Sequence, residues 1–339
     1  MRVRHNVALT DANTLGFSAL ASRYVEVATL DEACQALALA RRYCWPLTVL
    51  GGGSNVIMQH YLSGLVLRPV GQARWIEALD DKRALLHVEA GVPWHTLVVE
   101  LAQAGWWGTE NLALIPGCTG AAPIQNIGAY GVELADVLEA VHIVHLEDGR
   151  YEILTREACC FGYRDSIFKH ALQDRVVIVR VVLRLEREPK PRLEYGGLSQ
   201  RVPVKPIPID IVDAICALRR EKLPDPAVLG NVGSFFKNPV VAESLASRLY
   251  QSYPDMPIYP TVTGDAKLAA GWLIERCGFK GYREQHVGVH DRQALVLVHH
   301  GGGNARELLD LAERIKLAVY ECFGVMLEPE PRVIGNEGH

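Results

Sequence analysis

The feature that most restricts what this 339-residue chain can fold into is an uncharged run of small residues at positions 114–131. The run contains four glycines, three alanines and two prolines. It has neither the 3.6-residue period of an amphipathic helix nor the alternation of a half-buried strand. Such a density of small residues lets the backbone lie flat against a large, rigid, apolar ligand. A close-packed crossing of backbones in the core is the alternative that these residues leave open.

Composition and charge place the chain among ordinary globular proteins. Hydrophobic residues make up 49% and charged residues 22%, with a net charge of −4. These values exclude collagen, coiled coil and intrinsic disorder, and they give no electrostatic footprint for nucleic acid or an anionic membrane. The N-terminal 20 residues lack the apolar stretch of a signal peptide, and eight cysteines without a CxxC pair predict reduced thiols and no metal site. We therefore expect a cytoplasmic protein.

A proline-rich connector at 188–208 separates two patterns. Before it, short strands and helices alternate, including a helix at 31–42 capped by Thr29 or Asp31. After it the helices are longer, and a glycine-rich link leads to the capping Asn304. The length, at ~150 residues per domain, and this break predict an α+β chain in two main parts. The helices predicted beyond the connector cover 210–222, 240–253, 266–277 and 304–323.

Four further motifs carry groups that are able to do chemistry. A strand at 47–50 leads into the glycine-rich loop 51–55, whose backbone N–H groups can cradle a phosphate, although a tight turn explains the same glycines. Val56 replaces the glycine that a dinucleotide fingerprint requires, and no P-loop lysine follows.

Arg164 lies in a turn-like segment and can grip a carboxylate, or it is simply a solvated arginine. Ser234 lies in a Gly-Ser-Phe-Phe segment without a nucleophile elbow, which argues against a hydrolase. Glu328 and Glu330 are expected on one face of a strand, where a surface pair is the simpler reading.

Taken together, these motifs resemble one family. Gly51–Asn55, Pro116-Gly-Cys-Thr-Gly with Gln125-Asn-Ile-Gly-Ala-Tyr-Gly, Gly162-Tyr-Arg-Asp-Ser, Gly230-Asn-Val-Gly-Ser-Phe-Phe-Lys-Asn-Pro and Leu327-Glu-Pro-Glu occur in the order and spacing of the UDP-N-acetylenolpyruvoylglucosamine reductases. The resemblance extends over residues 10–335 and favours the longer subfamily, which carries a tyrosine loop.

The resemblance implies a fold and a cofactor. Residues 1–200 would form an FAD-binding region of the vanillyl-alcohol oxidase type in two subdomains, and 201–339 a C-terminal α+β substrate-binding domain whose end returns to the FAD region. FAD would be non-covalent because the glycine-rich loop has no His or Cys. The residues that would hold it are Gly51, Gly52, Gly53, Ser54, Asn55, Ile115, Pro116, Gly117, Gly120, Ala121, Ile124, Gly128 and Ile178.

The resemblance also implies an activity, the FAD-dependent reduction of UDP-N-acetylglucosamine enolpyruvate with NADPH as co-substrate in peptidoglycan precursor synthesis. Arg164 and its acidic partner Glu330 would stabilise the negative charge that develops on the enol ether, and Ser234 would protonate its carbon. A monomer is expected. A flavin-dependent oxidase and a non-catalytic nucleotide-sugar-binding protein are the alternatives. The residues implied to bind substrate are Tyr130, Tyr163, Tyr195, Arg219, Lys222, Asn238, Tyr259 and Gln293.

Overall fold

The computed structural model describes residues 1–261 and 264–336, which divide into two compact units built from discontinuous segments. The first unit consists of Met1–Ala8, Leu20–Gly53 and Leu62–Glu221. The second consists of Leu9–Ala19, Ser54–Tyr61 and the described residues from Lys222 onward. The division into functional domains at 1–200 and 201–339 stays a prediction.

Twenty strands and six α-helices make up the described chain, with six short 3-10 turns. The helices are α1 (Leu30–Arg42), α2 (Trp94–Gln103), α3 (Pro208–Lys222), α4 (Glu243–Ser252), α5 (Ala270–Arg276) and α6 (Ala305–Phe323). The strands are β1 (Arg4–Ala8), β2 (Leu20–Val27), β3 (Leu47–Val49), β4 (Val56–Met58), β5 (Tyr61–Pro69), β6 (Arg74–Ala78), β7 (Arg83–Glu89), β8 (Gly128–Ala129), β9 (Val132–Glu133), β10 (Leu138–His145), β11 (Tyr151–Thr155), β12 (Val176–Glu186), β13 (Gly230–Ser234), β14 (Val240–Val241), β15 (Ile258–Pro260), β16 (Ala266–Leu268), β17 (Arg283–Glu284), β18 (Val287–Val289), β19 (Val296–His299) and β20 (Arg332–Ile334). The 3-10 turns cover Thr10–Ala12, Glu110–Leu112, Thr119–Ala121, Leu134–Asp136, Ile167–Lys169 and Leu198–Gln200.

The first unit begins with a four-stranded sheet in the order β1-β2-β5-β3, against which α1 packs. Thr29 caps this helix as predicted, because its side-chain oxygen accepts a hydrogen bond from the backbone N–H of Glu32. The helix buries an apolar stripe, formed by Ala33, Ala36, Leu37 and Ala40, in a core that it shares with β2 and β5. The end of β3 leads directly into the glycine-rich loop.

A five-stranded antiparallel sheet in the order β11-β10-β12-β7-β6 forms the rest of the first unit. Its central strand, β12, is 11 residues long and rich in valine, as its β-branched sequence predicts. One face of the sheet shares a core with α2 and α3. The small-residue segment is bound to the end of β7, because the N–H groups of Thr119 and Gly120 donate to the carbonyls of Val92 and Ala90. This attachment holds the first half of the segment, at Thr119 and Gly120, against the residues that follow β7.

The second unit contains a four-stranded sheet in the order β13-β19-β18-β17, a three-stranded sheet β14-β16-β15, and the parallel pair β4 and β20. Helices α4, α5 and α6 pack on one shared core. Asn304 caps α6 as predicted, since its side chain accepts from the N–H of Glu307.

Two predicted helices are wrong at their beginnings. The first turn predicted at 240–253 is strand β14 followed by α4, and the first turn predicted at 266–277 is β16 followed by α5. In both cases the residues pair with each other, with Val240 opposite Lys267 and Val241 opposite Ala266. Pairing across 27 positions of sequence overrides a local preference, so a scan of single segments does not find it.

Candidate active site

Two loops of the first unit meet backbone to backbone where the sequence predicts the cofactor cradle. A β-carbon added at Gly52 would lie 2.8 Å from Cα of Gly117, and one at Gly51 would lie 2.9 Å from Sγ of Cys118. A β-carbon at Gly120 would lie 2.5 Å from Cβ of Ala90. Glycine is required where the backbone is approached this closely, and Gly51, Gly52 and Gly117 stay partly exposed, so their peptide groups lie along this surface. The arrangement fits a diphosphate-bearing, flat cofactor such as FAD.

The other predicted cofactor residues of the first unit lie along the same segment or beside it. Ile124 is exposed, whereas Ile178 is almost fully buried in β12, opposite Ile143. Three non-glycine residues of this segment have left-handed backbones: Leu114 at φ 57°, Asn126 at φ 45° and Tyr130 at φ 50°. Such conformations are costly for residues with side chains and concentrate at functional sites. The remaining predicted residues of the segment are Ile115, Pro116, Gly117, Ala121 and Gly128.

Arg164 occupies a tight turn in the first unit. Gly162 and Asp165 exchange two backbone hydrogen bonds, which leaves Tyr163 and Arg164 at the tip. Arg164 has a left-handed φ of 53°, at the turn position where glycine or asparagine is ordinarily preferred. Its Nη2 donates to the carbonyl oxygen of Gly128 at 2.8 Å. The structure therefore fixes a guanidinium against the small-residue segment.

Gly128 provides the space for that guanidinium. A β-carbon at this position would lie 3.0 Å from Nη1 of Arg164 and 3.0 Å from Cγ of Glu133. The sequence prediction that Arg164 and Gly128 belong to one site is consistent with this contact, although their roles stay predictions.

A second group in the first unit surrounds Tyr130. Its ring meets that of Tyr195 edge to face at 6.0 Å between centroids. Burial lowers the pKa of Arg219, with a further lowering from Arg164 and a raising from Tyr130. Nε of Arg219 is a buried atom that has no hydrogen-bond partner among residues 1–261 and 264–336. A buried, incompletely hydrogen-bonded guanidinium is suited to an anionic ligand.

Hydrogen bonds to main-chain carbonyl groups link three predicted parts of the second unit, which carry Ser234, Glu330 and Asn55. Ser234 ends β13 opposite Val296, and the carbonyl oxygen of the next residue, Phe235, accepts from the N–H of Glu330 at 2.8 Å. Asn55 in turn donates through Nδ2 to the carbonyl of Glu330 at 3.4 Å, and Ser54 precedes it in the same loop. Gly233, at φ 74°, gives β13 an irregular register just before Ser234.

The strand predicted through Glu328 and Glu330 is wrong. Residues 328–330 form no regular strand, and they pair only locally, since Lys237 N–H donates to the carbonyl of Glu328 at 2.9 Å. The Glu328 carboxylate forms an ion pair with Lys237. Pro329 stands between the two glutamates and bridges Phe236, and a proline has no N–H with which to continue a ladder.

The other predicted substrate residues of the second unit are spread over its surface and around α5. Asn238 accepts through Oδ1 from the N–H of Ala270 at 3.0 Å, and Gln293 lies against Gly271. These contacts give both side chains a structural role at the start of α5. Tyr259 is exposed in β15 opposite Lys267, and Lys222 is exposed at the end of α3.

Two buried polar residues of the first unit lie within the motifs at 125–131 and 162–166, and the sequence predicts no role for them. Ser166 donates to the carbonyl of Ile124 at 2.6 Å, and Asn126 donates to the carbonyl of Gly162 at 3.0 Å. Both are completely buried. The only sequence signal was their place beside Arg164 and Gly128 in uncommon motifs, because hydrogen bonds across about 40 positions leave no periodicity.

Within the described residues, none of the helices has both the length and the apolar character needed to span a bilayer. The same residues contain no cluster of three or more His, Cys, Asp or Glu side chains arranged to hold a metal ion.

Comparison with known proteins gives the family. Residues 225–334 match the UDP-N-acetylenolpyruvoylglucosamine reductase C-terminal domain, and residues 21–155 match an FAD binding domain. Relatives named UDP-N-acetylenolpyruvoylglucosamine reductase include those of Pseudomonas aeruginosa and Pseudomonas syringae pv. tomato, at 47% and 46% identity, each alignment covering 98% of this chain and 99% of the relative. The structure of the reductase from Thermus caldophilus superposes with a TM-score of 0.69 at 28% identity, covering 99% of this chain and 100% of that one. The predicted α+β fold with an FAD-binding region is confirmed, and the chain belongs to the UDP-N-acetylenolpyruvoylglucosamine reductase family.

Proposed function

We propose that this protein is an FAD-containing enzyme that uses NADPH to reduce UDP-N-acetylglucosamine enolpyruvate to UDP-N-acetylmuramate in peptidoglycan precursor synthesis. Family membership over nearly the whole chain supports the reaction. The structural observation that carries the proposal is the fixed guanidinium of Arg164, 2.8 Å from the carbonyl oxygen of Gly128 in the small-residue segment. A flat cofactor and an anion-stabilising cation are the two things that this chemistry needs side by side.

The residues of the glycine loop and of the small-residue segment would hold FAD without a covalent bond. Gly51, Gly52 and Gly117 offer peptide groups at close approach, and Ile124 offers an exposed apolar side chain. Ser54, Asn55 and Ile178 complete the proposed set. The chemistry supplied by bound FAD is transfer of a hydride from NADPH to the methylene carbon of the enolpyruvyl ether.

Arg164 would stabilise the charge that develops on the substrate. Hydride addition to the methylene carbon places negative charge on the neighbouring carbon and its carboxylate. A guanidinium already held in position needs no reorganisation when that charge appears, which is the condition for effective electrostatic stabilisation. Glu330 is proposed as the acidic partner.

Ser234 would donate the proton that completes the reduction. A serine hydroxyl is a weak acid, so it serves this role only when it is positioned against a strongly basic acceptor. The end of β13 and the hydrogen bond between Phe235 and Glu330 hold the backbone at this position.

Substrate binding is assigned to aromatic, amide and cationic side chains. We propose a cytoplasmic monomer with an FAD-binding region at 1–200 and a substrate-binding domain at 201–339. The incompletely hydrogen-bonded Arg219 suits an anion such as a diphosphate. The other residues proposed to contact the sugar nucleotide are Tyr130, Tyr163, Tyr195, Lys222, Asn238, Tyr259 and Gln293.

One anaerobic titration tests the function. The purified protein should show flavin absorbance, lose it on addition of NADPH, and recover it on addition of the enolpyruvyl sugar nucleotide in stoichiometric amount. Recovery with oxygen but not with the sugar nucleotide would indicate an oxidase instead. Protein that binds the sugar nucleotide but never exchanges electrons with it would indicate a non-catalytic binding protein.

A further inference from the structure

A single buried amide joins three segments of the first unit around the turn that carries Arg164. Asn126 is completely buried, and its Nδ2 donates to Oε2 of Glu133 at 2.7 Å and to the carbonyl oxygen of Gly162 at 3.0 Å. Its Oδ1 accepts from the N–H of Ala135 at 2.9 Å. The side chain thus uses two donors and one acceptor, in an orientation that no other small side chain reproduces.

The Gly162–Ser166 turn is held to the small-residue segment at its start, middle and end. Asn126 holds the carbonyl of Gly162 at the start, and the Ser166 hydroxyl donates to the carbonyl of Ile124 at the end. In the middle, Arg164 donates to Gly128. Among these three contacts, the one to Gly162 is made by a side chain of the small-residue segment, that of Asn126.

The backbones of Arg164 and Asn126 are strained in the same way. Arg164 and Asn126 have positive φ values of 53° and 45°. A left-handed arginine is strained and persists only where its surroundings hold it in place. Asparagine tolerates that region better than most residues, so it is suited to the position from which the turn is held.

We propose that Asn126 is a positioning residue for the reaction, because its amide sets the Arg164 turn against the small-residue segment. Asn126 acts through Arg164 and does not itself touch the reacting atoms. This inference rests on the proposed function, in which the guanidinium stabilises developing charge. Displacing such a group by about 1 Å can lower a rate by ~100-fold.

The test is Asn126→Asp, which has nearly the same shape but no donor. The new carboxylate would face the carbonyl of Gly162 and the carboxylate of Glu133, and like charges at that separation repel. We expect kcat for reduction of the enolpyruvyl sugar nucleotide to fall by about 10- to 100-fold with little change in KM for NADPH. In a crystal structure of the variant, Nη2 of Arg164 should lie beyond hydrogen-bond distance of Gly128.

Asn13→Asp is the matched control. Asn13 is also buried, and its Nδ2 donates to the carbonyls of Leu9 and Phe17 in the second unit. This variant should lower thermal stability, as Asn126→Asp does, but leave kcat unchanged in the folded, FAD-loaded protein. The double variant Asn126→Asp/Glu133→Gln removes the carboxylate repulsion but still offers no donor to the carbonyl of Gly162, so its kcat should stay well below that of the wild type.

Two results would overturn the inference: Asn126→Asp with the kcat of the Asn13→Asp control and Arg164 in place, or a double variant with the kcat of the wild type. Failure of the wild-type protein to reduce the sugar nucleotide would instead contradict the proposed function. In that case the position of Arg164 in the variant's crystal structure still decides whether Asn126 positions the turn.

Discussion

At the scale of single residues, the most informative one is an arginine where glycine would be expected. Arg164 pays a conformational penalty at φ 53°, and its backbone carbonyl accepts from Nζ of Lys169 at 3.1 Å. Any small flexible residue would make the turn at lower cost. Strained backbones of this kind concentrate at functional sites, which supports the role proposed for the guanidinium of Arg164.

Arg164→Lys tests that role. Lysine keeps the charge but replaces a planar fork, which donates to Gly128, with a single flexible ammonium. We expect kcat to fall by ~100-fold or more while FAD content and the melting temperature change little. Steady-state kinetics on the FAD-loaded variant measure this, and an unchanged kcat would remove Arg164 from the mechanism.

Ser234→Ala separates the two half-reactions. In the proposed mechanism the hydroxyl is needed only after hydride has reached the substrate, so flavin reduction by NADPH should proceed at the wild-type rate. Reoxidation by the enolpyruvyl sugar nucleotide should slow by about 100-fold or more, within the range for loss of a general acid. Anaerobic stopped-flow absorbance follows both steps, and equal slowing of the two would contradict the assigned role.

At the scale of elements, the sequence predicts best what is decided locally. Helix α1 carries its cap, its apolar stripe and its stop within 15 residues, and α6 begins at a capping asparagine and ends at a left-handed Gly324. The strands β14 and β16 were predicted as helix because each is only two or three residues long and exists through pairing with the other. Short paired strands have no period of their own to detect.

The candidate site shows the same division. The glycine-rich sequence indicates that the backbone is closely approached at positions 51, 52 and 120. In the structure a β-carbon at each of them would collide with backbone or with a neighbouring side chain. Asn126 and Ser166 were not predictable, since their importance comes from carbonyl groups some 36 and 42 positions away. Sequence patterns identify which backbone is special, whereas the polar contacts that orient it need the fold.

Strand β10 carries a buried histidine that makes the protein sensitive to acid. His142 is 7% exposed, shares a hydrogen bond with the Tyr151 hydroxyl and lies opposite Arg180. Burial, with smaller contributions from Arg180 and His87, lowers the pKa of His142 from 6.5 to about 4. Between those values the unfolded chain binds a proton that the folded chain does not, so the contribution of His142 to stability is complete above pH 6.5 and is lost as the pH falls toward 4.

We expect His142→Gln to flatten this dependence. The contribution of His142 is at most about 3 to 4 kcal/mol, from the constant of 1.36 kcal/mol per pKa unit and a pKa lowered from 6.5 to about 4. Urea unfolding at pH 7 and pH 4.5 should therefore differ less for His142→Gln than for the wild type, whereas the exposed His5→Gln should behave as the wild type. Identical pH dependence in all three proteins would exclude His142 as the titrating group.

At the scale of the whole molecule, the chain leaves and re-enters each compact unit. Residues 9–19 and 54–61 belong with the C-terminal part, the first through the hydrogen bond from the N–H of Asn231 to the carbonyl of Thr14 and the second through parallel pairing of β4 with β20. A linear scan for linkers identifies the proline-rich connector but not these insertions. The glycine-rich loop belongs to the first unit up to Gly53 and to the second from Ser54 onward.

Gly52→Ala tests whether cofactor binding stabilises the protein through this loop. The added β-carbon would lie 2.8 Å from Cα of Gly117, so the two loops must separate and the cradle must open. Free FAD at 100 times its Kd should stabilise the wild type by about 2.7 kcal/mol, and the variant should lose most of this increment. Gly288→Ala is the control, because its β-carbon would lie 2.7 Å from the carbonyl of Tyr282, a contact within the second unit. Thermal unfolding with and without added FAD should show a lower melting temperature in both variants but a normal FAD-induced increase only in Gly288→Ala. An equal increase in both would mean that FAD does not need the close approach of Gly52 to Gly117.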